Sequence, residues 1–297
     1  MELGDLIKGN CYHICTDGQG TPVIMKDKED FRTACVYLAL LSWKFKIDIL
    51  AYIVMSNHVH ILTICKDRRE AQKFIKAYKQ KIALYLRNKY GTEKSLRGIA
   101  DSITLVDSLK YLQNCIAYIL RNALCAKACI RLEEYPWSSY SVYFAKEDLS
   151  GLRKISSLGA RERKKLLKSR DDLSDCPYYI DTEGNIVNTS FIKADIVEAA
   201  FRNSSRSFLY SLGTCNDIKM EYELAFKPLI NVNDMELLNL AEQLATNKFA
   251  GKTISELTNA NKCAMIKTLY FNNKTTIPQL SRILGLPRDL VANAINY

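Results

Sequence analysis

The sequence predicts an α+β domain followed by a mostly helical C-terminal region. Two β-branched, apolar stretches in the first quarter (10–16 and 49–65) alternate with stretches whose apolar residues recur every three or four positions. Beyond residue 190 only the helical periodicity persists. Hydrophobic residues make up 48% of the 297 positions, enough for a real core, which excludes global disorder. No apolar run approaches the roughly 18 residues of a membrane span, and the N-terminus has no secretory pattern. A cytoplasmic protein with no membrane partner is therefore expected. The net charge of +10 favours a polyanionic partner. The ten cysteines are scattered without a C-x-x-C, so reduced core thiols are expected rather than a zinc site or a disulfide framework.

Taken in order, Asn10–Thr16 (NCYHICT) predicts a first strand and Asp17-Gly18-Gln19-Gly20 a turn. His13 lies on that strand and is read as structural. Residues 27–45 predict a helix, opened by acidic residues and striped by Phe31, Cys35, Leu38, Leu41 and Phe45. Ile49–Cys65 (ILAYIVMSNHVHILTIC) then predicts one long buried strand with two of the chain's three histidines set into it. Residues i and i+2 of a strand share a face, so His58 and His60 project side by side. Two neutral imidazoles at that spacing can grip a divalent cation or hold a phosphate. The plainer alternative is a pair of histidines satisfied by backbone groups.

Residues 66–98 predict a second helical block with eleven basic and three acidic residues, interleaved with Phe74, Tyr78, Tyr85 and Tyr90. One reading is a phosphate-tracking surface with rings that stack on unpaired bases, using Lys73, Lys76, Lys79 and Arg87. The other is a solvated helix face above an aromatic core stripe. Residues 98–105 can supply a short strand. Residues 107–124 predict a third helix, capped by Asp107 or Ser108. On it Tyr118 and Asn122 share one face. Pro136 stops the next segment and Trp137 is expected to plug the core.

A basic, helix-prone stretch over 151–170 marks a composition shift. The expected division is 1–148, 149–230 (linker, small hairpin around Asp181-Thr182-Glu183-Gly184, and a helix over 191–212) and 231–297. In the last part, Thr253…Glu256 and Thr276…Gln279 have the spacing of capping boxes. Gly285 and Pro287 separate two short apolar helices. That pattern fits a helix-turn-helix and equally a small bundle that packs on itself.

A cation held by His58 and His60 would act on a phosphodiester as a Lewis acid. No Ser-His-Asp set or P-loop supplies a nucleophile. A tyrosine can, through a covalent phosphotyrosine that conserves the bond energy for rejoining. Among 17 tyrosines, Tyr118 stands out because a polar Asn follows one turn later on an otherwise apolar helix; Tyr111 and Tyr78 are the rivals.

The run Tyr52–Leu62 (YIVMSNHVHIL) resembles the signature of the single-tyrosine HUH transposases, in particular the REP-associated tyrosine transposases. Tyr118-Ile119-Leu120-Arg121-Asn122 resembles that family's nucleophile segment, and Tyr135–Tyr140 (YPWSSY) a third motif. The resemblance covers about residues 5–145. It implies a ferredoxin-like antiparallel sheet flanked by helices, a divalent cation (Mg²⁺ or Mn²⁺), and cleavage of single-stranded DNA near a hairpin. It also implies His58, His60 and Asn122 as metal ligands and Tyr118 as the nucleophile that forms a 5′-phosphotyrosine. Ser56 and Ala123 stand where the family has proline, and neither exchange removes a reacting group. Such a protein would be a monomer or homodimer. The competing readings are a domesticated, non-catalytic protein that binds hairpins or regulates transcription, and a histidine-assisted RNA phosphodiesterase.

Overall fold

The computed structural model describes residues 2–18, 23–91, 99–146, 150–215, 234–273 and 275–296. It divides into two compact units, 1–224 and 225–297.

The first unit is built on a four-stranded antiparallel sheet. After a short helix α1 (Leu3–Leu6) come β1 (Asn10–Thr16), α2 (Lys28–Phe45), β2 (Asp48–Val54), β3 (Val59–Cys65), α3 (Arg68–Tyr90), β4 (Asp101–Val106) and α4 (Leu109–Cys125). The spatial order is β2-β3-β1-β4, the ferredoxin-like order implied by the resemblance. The α+β expectation holds. Local chemistry sets the helix bounds. The Asp27, Asp67 and Ser108 side chains accept from Asp30, Glu70 and Tyr111 backbone N–H groups at the starts of α2, α3 and α4. Gly91 ends α3 in the left-handed region, φ 63°.

Residues 49–65 are not one strand. Seventeen residues in extended form would run about 56 Å, beyond what a sheet of this size can pair. The chain folds back instead, with the Met55 N–H donating to His58 O at 2.8 Å, and β2 pairs antiparallel with β3. The polar Ser56-Asn57 pair was the signal for the turn. His58 consequently stands at the mouth of β3, and only His60 lies within the strand.

Pleat parity divides the sheet. Directly paired residues share a face, so His13, Cys15, His60 and Leu62 look one way, and Tyr12, Ile14, Ile61 and Tyr52 the other. Helix α4 covers the histidine face: the Tyr118 ring meets those of His13 and His60. Helices α2 and α3 cover the opposite face; Cys35 of α2 contacts Tyr52 and Tyr78. The free edge of β2 is closed by the Tyr135–Tyr140 motif. Val54 N donates to Trp137 O at 2.9 Å, and Ser139 N donates to Tyr52 O at 3.0 Å. This backbone pairing removes an exposed sheet edge next to the site.

The composition shift near residue 149 falls inside this unit. Ile155, Leu158, Leu167, Leu173, Cys176 and Ile180 are buried in the same core as the sheet. Helix α5 (Ala160–Leu167) lies against α2, where the Arg32 guanidinium donates to Leu166 O and Gly184 O. The small hairpin is present: Ile180 bridges Ile186, and the Asp181 carboxylate accepts from the Glu183 and Asn185 N–H groups. The helix expected over 191–212 is two helices, α6 (Ala194–Ala200) and α7 (Ser205–Thr214), broken where Arg202 and Asn203 take positive φ.

The second unit has its own core. Helices α8 (Asp234–Lys248), α9 (Asn259–Asn273), α10 (Ile277–Leu284) and α11 (Arg288–Asn296) enclose Leu237, Ala241, Met265, Ile266, Leu280 and Val291. Thr276 caps α10 through the Gln279 N–H, and Gly285 ends it at φ 63°. The box at Thr253 opens a single 3₁₀ turn, Ile254–Glu256, rather than an α-helix.

Candidate active site

Three histidines and one tyrosine meet on the α4 face of the sheet. The His58 and His60 rings lie 5.0 Å apart between centroids, nearly perpendicular. The Tyr118 ring stands edge-on to His60 at 5.4 Å. Asn122, one turn further along α4, meets the His58 ring. The structure therefore brings His58, His60, Tyr118 and Asn122 together. Tyr118 is only 7% exposed. Of the rival tyrosines, Tyr78 is fully buried on the opposite face of the sheet, against Cys35.

Hydrogen bonds fix the state of His58. Asn57 Nδ2 donates to Gly18 O at 2.8 Å, which leaves Asn57 Oδ1 as an acceptor. Oδ1 lies 2.7 Å from His58 Nδ1, so that nitrogen carries the proton and Nε2 carries the lone pair. The Gly18 loop presses on the same ring: a Cβ on Gly18 would sit 2.6 Å from His58 Nδ1. At the other end, Asn122 Nδ2 donates to Tyr118 O at 3.2 Å, which turns its Oδ1 toward the imidazole. Burial lowers the His58 pKa, partly offset by Asn122, so the ring is neutral near pH 7. A neutral Nε2 and an amide oxygen are both electron-pair donors, and facing each other they suit a cation.

His13 joins the site, although the sequence placed it outside. Its Nε2 is 3.1 Å from His60 Nδ1, and the two rings stack at 5.2 Å with an interplanar angle of 12°. His13 is completely buried and its Nδ1 has no partner. Desolvation lowers its pKa to about 3 and holds that of His60 well below the ordinary value, with repulsion from His58 and His13 adding to the latter. The signal in the sequence was weak: a histidine on β1 shares a face with one on β3 only once the register is known, and that register pairs Cys15 with His60.

Cys15 completes a second donor set. Ligand atoms of His13, Cys15 and His60 all lie within 4.8 Å of one another. Burial raises the Cys15 thiol to about 12, so it stays protonated at neutral pH. A protonated thiol among fully buried rings is a poor ligand for a hard cation such as Mg²⁺ or Mn²⁺. The His58, His60 and Asn122 set offers two imidazoles and an amide oxygen without that handicap.

The basic helix is available to a phosphate only in part. Phe74 and Tyr78 are fully buried, and Tyr85 and Tyr90 are half-buried with their hydroxyls donating to the Asp30 carboxylate. Recurrence at helical spacing put Phe74 and Tyr78 on the inward stripe, where no base can stack on them. Lys79 is also withdrawn. It is buried and donates to Ile99 O and the Asp101 carboxylate. Lys81 pairs with Asp171, and Lys89 with Asp27 and Asp30. Lys73, Lys76 and Arg87 remain exposed, on the helix that covers the sheet face away from the histidines.

A ferredoxin-like sheet thus sets paired histidines beside a tyrosine carried on the covering helix. Residues 22–100 match the family described as "Transposase IS200 like". The matched segment contains His58 and His60 and ends before Tyr118. No curated protein matches the chain. Among solved structures, one described as "Structure of the REP associates tyrosine transposase bound to a REP hairpin" superposes with 12% identity and a TM-score of 0.38, covering 45% of this chain and 78% of that one.

Proposed function

We propose that the first unit is a metal-dependent DNA strand-transferase that cleaves single-stranded DNA near a hairpin through a covalent 5′-phosphotyrosine on Tyr118. The observation that carries this reading is the gathering of two neutral imidazoles, the Asn122 amide and the Tyr118 ring between β3 and α4. Residues His58, His60 and Asn122 would hold the cation. When bound, it supplies Lewis-acid withdrawal of charge from the phosphoryl oxygens. Nitrogen donors at two of three positions favour Mn²⁺ over Mg²⁺.

The chain's own groups do the rest. Asn57 holds His58 in the tautomer that leaves Nε2 available. His13 is a positioning residue for His60. If His60 Nδ1–H donates to His13 Nε2, His60 Nε2 keeps its lone pair, the outer hydrogen bond that metal-ligating histidines ordinarily make. The Tyr118 oxygen attacks phosphorus, the P–O bond to the 3′ oxygen breaks, and a free 3′-OH leaves. Rejoining reverses these steps without ATP.

Support for a DNA partner comes from the IS200-like family match and the charge of +10. Helices α10 and α11 have the succession of a helix-turn-helix, and the second unit would contribute DNA contacts of its own. Oligomeric state and nucleoid association are expectations of the same reading.

The experiment is to incubate the protein with Mn²⁺ and labelled single-stranded hairpin DNA, then denature it and look for an adduct. Wild type should give one and Tyr118→Phe none. An adduct that survives Tyr118→Phe moves the nucleophile elsewhere. No adduct across a panel of hairpins, with binding intact, points instead to a domesticated hairpin-binding protein.

A further inference from the structure

Beside the catalytic helix lies a basic groove of about 680 Å³, outside the residues that match the transposase family. One wall is the first part of α4, with Lys110, Gln113 and Asn114; the other is the α6–α7 turn and α7, with Arg202, Arg206 and Tyr210. Serine and threonine hydroxyls (204, 207, 211 and 214), Phe201 and Cys215 line the rest, and among the described residues no carboxylate does. Lys110, Arg202 and Arg206 are exposed and make no ion pair among the described residues. This contrasts with Lys79, Lys81 and Lys89, which are all committed to carboxylates. Tyr210 is 72% exposed, so its ring is open to a stacking partner.

The walls are fastened to the helix that carries Tyr118. Gln113 Nε2 donates to Ala200 O at 2.8 Å, and the Arg121 guanidinium donates to Leu212 O at 2.9 Å. Asn114 precedes Tyr118 by one helical turn, about 6 Å along the axis, and Lys110 by about 12 Å. A ligand seated in the groove is thus held at a fixed distance from the phenol.

We infer that this groove binds the unpaired DNA strand leading to the scissile phosphate, with Lys110, Arg202 and Arg206 on phosphates and Tyr210 stacked on a base. Cations that track a backbone, with an aromatic face between them, are the general recipe for single-strand binding. A cleft of about 680 Å³ has room for a few nucleotides. The strand's destination rests on the proposed role of Tyr118; the binding itself does not.

The test is fluorescence anisotropy of labelled oligothymidine, which forms no hairpin, titrated with the full chain at several salt concentrations. Arg202→Gln/Arg206→Gln should weaken binding about tenfold and lower the slope of log K against log salt by about 1.4, from roughly 0.7 per lost phosphate contact. Tyr210→Ala should weaken it about tenfold at an unchanged slope. Thermal unfolding at the wild-type temperature shows that the variants are folded. Wild-type affinity and slope in the folded double variant would overturn the inference, as would equal binding of a blunt duplex lost through the same substitutions. Wild type that binds oligothymidine through the groove yet forms no adduct with any hairpin would sink the strand-transferase reading and leave the groove standing.

Discussion

At the scale of single residues, the site depends on small groups that hold the imidazoles. Gly18 is one. Its missing Cβ is what lets the backbone at Gly18 lie against His58, since a methyl group there would sit 2.6 Å from Nδ1. Gly18→Ala should push the ring off its Asn57 bond and lower Mn²⁺ affinity about 10- to 100-fold, the usual effect of losing an outer-shell partner. Isothermal titration would read this, with the unfolding temperature as a control. Unchanged affinity would show that His58 is held by something other than this contact. Such a dependence is invisible in the sequence, where Gly18 is one of several turn residues forty positions from the ring it touches.

Helix α3 poses the question of what its charges are for. Lys79 and its neighbours Lys73 and Lys76 look alike in sequence, yet the fold separates them: Lys79 is buried against Asp101, while the other two face water. Lys79→Met should therefore cost about 1–3 kcal/mol of stability, mostly by leaving Asp101 and the Ile99 carbonyl without their donor. Lys73→Gln/Lys76→Gln should leave stability within about 0.5 kcal/mol of wild type. Urea denaturation distinguishes the two. Equal stability of all variants would mean that the Lys79 bridge contributes nothing. The helix itself was readable from its periodicity and its Asp67 cap. Which lysines were free was not, because their carboxylate partners come from residues 27, 30, 101 and 171, supplied by other elements.

For the whole molecule, burying neutral histidines makes stability depend on pH. His13 has its pKa depressed to about 3, and His58 and His60 are lowered from an ordinary value of 6.5. Once unfolded, the same rings take up protons below about pH 6.5, and the folded protein cannot. Stability is therefore greatest above that pH and falls as the solution is acidified toward pH 3. The loss approaches about 1.4 kcal/mol per pH unit for each fully buried ring. Carboxylates enter later: Asp30, raised by burial but held lower overall by Lys89, adds its loss only below about pH 4. Urea unfolding of the first unit in EDTA at pH 7.5, 6 and 5 should show the decline, and His13→Phe should flatten it. A stability that holds constant between pH 6.5 and 4.5 would mean that the rings are not buried neutral. The unit must be followed by a probe of its own, because the two cores need not unfold together.

The sequence by itself determined the alternation of strands and helices, the α+β class, the helix caps, and the identity of His58, His60, Tyr118 and Asn122 as candidates. These follow from local periodicity, from cap chemistry, and from short motifs that need no knowledge of distant neighbours. Tertiary structure decided the rest: the hairpin turn that splits residues 49–65, the entry of His13 into the site, the withdrawal of Lys79, and the packing of residues 150–215 on the sheet. Each depends on strand register or on groups far apart in the chain meeting across the core. Pleat parity assigns His13 to the face of His60, but only after the fold has chosen which residues lie opposite one another.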